Sequence, residues 1–251
     1  MATEIKAVIL AAGKGTRMKH LTATAPKPML EICGKPVLEI IVEAIRDAGV
    51  REVCIITGYR AEAIKEFFGD GKGHGVRMSY VTQEVQDGTG KAPELAKGFV
   101  GKDPFFLAYG DILTEPTNYR GMVEIFSKGG CDGLVTVQEG PDVSKGAAVM
   151  FNGDFNLTDI IEKPPPGSVS SKWYNTGIYL FTPRLFEFTP RLEKSKRGEY
   201  ELPDALRLMA KEGLKLRGFV LKDYWMDVRD PEVLDEAQRF FASKAAKGIT
   251  R

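Results

Sequence analysis

Short runs of β-branched and aromatic residues alternate along this chain with longer stretches whose apolar residues recur at helical spacing. A chain that alternates in this way folds as a sheet, largely parallel, with helices packed against it. The pattern predicts strands over residues 6–10, 53–57, 78–82, 104–108, 134–138, 147–151, 177–181 and 216–220. Helices are predicted over 36–48, 61–68, 91–98, 119–128, 202–211 and 231–246. The first two stop at Gly49 and Gly69, residues that readily take the left-handed conformation closing a helix. Strand and helix alternate up to about Gly110; beyond it, consecutive strands come before the next helix. The expected fold class is therefore α/β, a Rossmann-like, mixed, mostly parallel sheet flanked by helices. Its N-terminal half should be parallel, with a smaller antiparallel part in the second half. The Pro-rich stretch 164–167 reads as a surface loop, so residues 1–251 are expected to form a single domain.

With 43% hydrophobic residues the chain can bury a substantial core, which excludes disorder. Its 35 basic and 34 acidic side chains nearly cancel. A net charge of +1 gives no global attraction to nucleic acid or anionic membrane, so an anionic ligand needs a local cluster of charge. Apolar runs such as 7–12 are too short to span a bilayer, and the first residues lack the pattern of a secretory signal. A cytoplasmic protein is expected. Cys33, Cys54 and Cys131 form no paired framework and read as ordinary buried thiols. Two histidines, His20 and His74, cannot build a His-based zinc site, so any metal should be a hard cation held by carboxylates.

Local charge is found just after the first strand. Gly13 and Gly15 free the backbone there to approach a ligand, with N–H groups available to phosphate oxygens. Lys14, Arg17, Lys19, Lys27 and Lys35 follow, against the single acid Glu31. Neither common phosphate motif fits. The third glycine of a dinucleotide fingerprint is replaced by Met18, and Gly88-Thr89-Gly90-Lys91 leads into Ala92, with no hydroxyl for a metal.

The whole segment, Gly13-Lys-Gly-Thr-Arg17 followed by Pro26-Lys-Pro-Met-Leu30 and Gly34-Lys35-Pro36, resembles the opening of the sugar-1-phosphate nucleotidylyltransferases, or nucleotide-sugar pyrophosphorylases. The glucose-1-phosphate uridylyl- and thymidylyltransferases are its nearest likeness. Further matches follow in order: Gln83 with Gly88-Thr89-Gly90, Tyr109-Gly110-Asp111, Ile161-Glu162-Lys163-Pro164, Asn175-Thr176-Gly177, Gly198-Glu-Tyr-Glu-Leu202 and Trp225-Met226-Asp227. The resemblance implies a nucleotide-binding half over about 1–110, a sugar-binding half over about 111–230 and a C-terminal helix. Arg17 would bind the triphosphate, Lys27 the phosphate under attack and Lys163 the incoming sugar phosphate. Asp111 and Asp227, the latter in a Trp-x-Asp turn, would hold Mg2+. Leu10, Ala11 and Ala12 at the end of the first strand, with Gly13, Gly15, Thr16, Gln83, Gly88 and Thr89, would bind the nucleotide. Gln83 can both donate and accept, as the edge of uracil or thymine requires, and the bare Gly88 backbone can approach the ring. Gly146, as a close-approach glycine, with Glu162 and Asn175, would contact the sugar, and the 198–202 element would close over it.

The implied partners are a nucleoside triphosphate (UTP or dTTP) and a sugar 1-phosphate (glucose 1-phosphate), with no nucleic acid and no membrane; a homo-oligomer is compatible. The chain departs from the family at Gly90, at Lys145 in place of a tyrosine, and at Pro203. Lys145 removes an aromatic wall with a hydroxyl and so bears on the hexose. The stretch after Asp227 reads as one helix, which implies a transferase without an acyltransferase region. Other base and sugar variants, such as mannose-1-phosphate guanylyltransferase, share the scaffold. A magnesium-dependent glycosyltransferase would want a D-x-D pair where Leu113 stands, and a non-catalytic nucleotide-sugar sensor would be expected to have lost one of Arg17, Lys27, Asp111, Lys163 and Asp227.

Overall fold

A computed structural model describes residues 4–22, 25–140 and 142–246; the reading of the first residues as no secretory signal falls partly on 1–3, outside these. In chain order it forms β1 (Lys6–Ala11), β2 (Glu31–Ile32), β3 (Lys35–Pro36), α1 (Val37–Asp47), β4 (Glu52–Thr57), α2 (Ala61–Phe68) and β5 (Arg77–Thr82). Then come α3 (Lys97–Val100), β6 (Phe105–Tyr109), β7 (Ile112–Thr114), α4 (Thr117–Phe126), β8 (Gly133–Glu139), β9 (Ala147–Phe151) and β10 (Leu157–Glu162). The chain continues through β11 (Trp173–Phe181), α5 (Leu202–Lys211), β12 (Leu216–Val220), β13 (Trp225–Asp227) and α6 (Pro231–Ala246).

Among the described residues nine strands form the main sheet, along the path β10-β9-β11-β6-β1-β4-β5, with β8 paired to β11 and β12 to β8. β1 lies parallel to β4 on one side and to β6 on the other, and β5 is parallel to β4. From β6 onward the sheet is mixed: β11 runs antiparallel to β6, β8 and β9, while β12 is parallel to β8. Successive side chains of a strand point to opposite faces. Ala7, Ile9 and Ala11 of β1 accordingly pack in one layer with Leu38, Ile41 and Ile45 of α1, and Val8 packs in the other with Leu202, Leu206 and Met209 of α5. Cover on both faces explains why β1, β4 and β6 read as nearly unbroken apolar runs.

The chain leaves β1 toward β4 and β5, then returns to β1's other edge as β6. Where strand order reverses in this way, the loops after the two strands diverge and leave a crevice at their carboxyl ends. Gly110, just after β6, donates its N–H to the Leu10 carbonyl at 2.9 Å, so the crevice opens directly beyond this pair.

Several expectations are corrected. The helix expected over 91–98 is a 3-10 turn (Ala92–Ala96) followed by the short α3, because Pro93 and Gly98 are poor helix-interior residues. β10 escaped the periodicity because its pairing with β9 shifts register between Leu157 and Asp159, which breaks the alternation. β7 and β13 are too short to show a period. Only Cys54 is a buried thiol, pushed up to about 11 by its burial; Cys33 is exposed in the turn between β2 and β3, and Cys131 is half-buried. Among the described residues no helix is long and apolar enough to cross a membrane.

Candidate active site

The segment after β1 forms one wall of the crevice. The Ala12 carbonyl is held by the Tyr59 N–H at 3.2 Å and the Gln86 carboxamide at 2.8 Å. A β-carbon at Gly13 would meet nothing within 4 Å, so open space lies before its backbone. Gly15 has φ +63°, and a β-carbon there would press 2.8 Å from that of Lys27. The stem of Lys27 thus passes over Gly15, and the two halves of the opening motif are packed on one another. Lys27 sits in a 3-10 turn between Pro26 and Pro28, only 8% exposed, with its Nζ 2.5 Å from Asp111 Oδ2. Arg17 and Thr16 are exposed residues of the 3-10 stretch Thr16–Thr22, which is anchored by the buried Met18 and Thr22. All of the nucleotide-binding residues expected from sequence line one cavity of about 380 Å³, together with Arg17, Lys27 and Asp111.

Residues Trp225 to Asp227, expected as a turn, form strand β13, antiparallel to β7 with Asp227 opposite Ile112. The indole N–H of Trp225 donates to the Thr176 carbonyl at 2.9 Å, and the Val228 N–H to the Asp111 carbonyl at 2.9 Å. This small sheet sets the two aspartates together. Burial, and next the Asp111 charge, push the Asp227 carboxyl up to about 6 against the pull of Lys27, Arg229 and Arg17. Two mutually repelling carboxylates with hard oxygen donors suit a magnesium ion. Among the described residues no cluster of three or more possible ligands occurs, so such an ion would take its other ligands from phosphates and water.

An adjoining cavity of about 230 Å³ is lined by Gly146, Glu162, Lys163 and Asn175, with Asp227 and Arg17. The Lys163 N–H donates to the Gly146 carbonyl at 2.6 Å, which ties the end of β10 to the start of β9. A β-carbon at Gly146 would overlap the Tyr174 hydroxyl, so any side chain there would have to displace the Tyr174 ring. The Tyr174 ring lies edge-on to Trp225 at 5.5 Å between centroids. Position 145 carries a lysine, yet Tyr174 brings an aromatic ring and a hydroxyl to this same cavity. Asn175 already donates its carboxamide to the Tyr179 hydroxyl at 2.7 Å. Desolvation raises Glu162, and Glu201 adds to the rise. Arg197 bridges these two acids, at 3.3 and 3.1 Å.

The 198–202 element joins the two cavities. Gly90 donates to the Tyr200 carbonyl and Tyr200 to the Asp87 carbonyl, each at 2.8 Å, while Thr89 Oγ1 accepts from the Leu202 N–H at 3.3 Å. A β-carbon at Gly88 would run into the Tyr200 carbonyl, so the 83–90 loop has to be small where it meets the 198–202 element. Arg17, Thr89, Tyr109, Asp111, Glu199 and Arg229 line both cavities, which therefore form one continuous cleft. Tyr174, Arg197 and Arg229 were missed by the motif reading; each stands within two residues of a motif residue, and that adjacency was the available signal.

The nucleotidyl transferase family model matches residues 6–244. The low-salt glycan biosynthesis nucleotidyltransferase Agl11 of Haloferax volcanii is 34% identical over 239 residues, covering 94% of this chain; the chain spans 65% of the length of Agl11. The UTP–glucose-1-phosphate uridylyltransferase AglF of the same organism is 31% identical over 239 residues, covering 94% of this chain and 96% of AglF. The crystal structure of UDP-glucose pyrophosphorylase complexed with UDP-glucose superposes with a TM-score of 0.87 at 26% identity, over 96% of this chain and 99% of that one.

Proposed function

Because this chain belongs to the nucleotidyl transferase family, we propose that it transfers a nucleotidyl group from a nucleoside triphosphate to a sugar 1-phosphate, releasing pyrophosphate. A phosphate oxygen of the sugar phosphate forms the new bond to the α-phosphorus, and the bond from that phosphorus to the pyrophosphate oxygen breaks in line with it. UTP or dTTP and glucose 1-phosphate are the substrates of first choice. Gln83 at the base end of the larger cavity and the likeness to AglF and to a UDP-glucose-bound pyrophosphorylase support that choice.

The observation that carries the reading is that Arg17, Lys27, Lys163, Asp111 and Asp227, drawn from five separate stretches of sequence, border one cleft at the strand-order reversal. A phosphate monoester is already a nucleophile, so the reaction needs no activated serine, cysteine or histidine. It needs charge neutralisation and alignment. Arg17 receives the triphosphate beside the open Gly13 backbone. Lys27 exchanges Asp111 for a phosphate oxygen, and Lys163 orients the sugar phosphate from the other cavity. Asp111 and Asp227 would hold Mg2+, which when bound neutralises phosphate charge. We assign the nucleotide to the half over about 1–110 and the sugar to the half over about 111–230 of a single domain.

Pyrophosphate release measured over a panel of triphosphates and sugar 1-phosphates tests the proposal. Release with UTP or dTTP and glucose 1-phosphate is the expected result. Release only with another pair, such as GTP and mannose 1-phosphate, would change the substrates but keep the reaction, and no release with any pair would overturn it.

A further inference from the structure

The residues that border both cavities mark where two substrates bound in them would meet, and only two of these carry positive charge, Arg17 and Arg229. Arg17 belongs to the opening motif; Arg229 has no part in any motif. It lies just past β13, where its N–H donates to the Asp227 carbonyl at 2.7 Å, so its backbone is fixed to the strand carrying Asp227. Among the described residues its one ion pair is a 3.4 Å contact with its neighbour Asp230. The other Asp230 oxygen is engaged by the Val233 N–H at 3.0 Å, at the start of α6. The guanidinium is therefore only loosely held and 37% exposed, on a rigid support. Its charge reaches the Asp227 carboxyl, alongside those of Lys27 and Arg17.

The charge balance at this junction calls for such a group. Lys27 is paired to Asp111, and Glu199, which Arg197 meets at 3.4 Å, lies at the same place, so neither pair leaves a free cation there. The reaction then brings two phosphoryl groups there. A guanidinium offers a planar fork of donors that matches a pair of phosphate oxygens. Resting on the transfer reaction proposed above, we propose that Arg229 is a phosphate-binding residue that grips the two phosphoryl groups being joined, which in the product are the diphosphate of the nucleotide sugar.

Calorimetric binding of UDP-glucose, and separately of inorganic pyrophosphate, to the wild type, Arg229→Ala and Arg229→Lys tests this. Arg229→Ala should bind UDP-glucose about tenfold or more weakly, the size expected for a lost charged hydrogen bond, with Arg229→Lys in between, unchanged melting temperatures and inorganic pyrophosphate, the leaving group on the Arg17 side, bound as by the wild type. Equal binding of UDP-glucose by wild type and Arg229→Ala, or an equal loss for both probes, overturns the role of Arg229. A wild type that releases no pyrophosphate from any substrate pair, yet binds UDP-glucose through Arg229, overturns the reaction and leaves the phosphate site standing.

Discussion

The backbone N–H of Val228 donates to the carbonyl oxygen of Asp111 at 2.9 Å. That bond extends the β7–β13 pairing to the corner where β6 ends, and through it two carboxylates far apart in sequence come to share one cleft. Asp111→Asn or Asp227→Asn removes one of the two charges while keeping size and backbone. Each should lower pyrophosphate release by about a hundredfold or more with an unchanged circular dichroism spectrum, and chelation of divalent ions should stop the wild type until magnesium is restored. Normal turnover by either variant would mean that the metal lies elsewhere.

Trp225 anchors the same small sheet through its indole N–H to Thr176. Trp225→Phe keeps a ring against Tyr174 but loses the donor, at a cost of about 1 kcal/mol. Turnover should fall more than substrate affinity does, because Asp227 loses its alignment; a rise in KM with kcat unchanged would count against the anchoring role.

At Gly146 there is no room for a methyl group beside the Tyr174 hydroxyl. Gly146→Ala should destabilise the fold by about 1–3 kcal/mol and raise the KM for the sugar phosphate more than that for the triphosphate. Removing the obstruction in Gly146→Ala/Tyr174→Ala should restore part of the melting temperature. If the double variant is simply the sum of two losses, the contact is not what demands glycine.

Gly88 combines φ +122° with a backbone neighbour, Tyr200, that a side chain would strike. Because hydrogen bonds join loop 83–90 to the 198–202 element, Gly88→Ala should weaken binding of both substrates, not of the nucleotide alone. Steady-state KM values for each substrate decide this: a change confined to the triphosphate would show that the element does not couple the two cavities.

Much of the fold could be read from the sequence because its central strands are covered on both faces, so Val53 to Thr57 and Phe105 to Ala108 are apolar enough to declare themselves. β10 could not be read, since the register shift near Asp159 hides its period, and β13 could not, since three residues carry none. Of the cleft, the residues within ordered motifs are legible: Lys27, Asp111 and Lys163 stand beside a glycine or proline, Arg17 two residues after Gly15, and Asp227 two residues after Trp225. Tyr174, Arg197 and Arg229 are not, because apart from their nearness to motif residues nothing separates a tyrosine in a strand or an arginine in a loop from any other.

Local patterning, then, was enough to establish the layers, the parallel N-terminal half and the chemical types gathered after β1, since periodicity and backbone freedom act between near neighbours. It could not specify which charges meet. That Lys27 lies on Asp111, that Tyr174 fills the space beside Gly146, and that Arg229 borders both cavities follow from strand pairings between remote segments. Only closure of the sheet brings those segments within a few ångströms of one another, where electrostatic attraction and steric exclusion decide what each side chain can do.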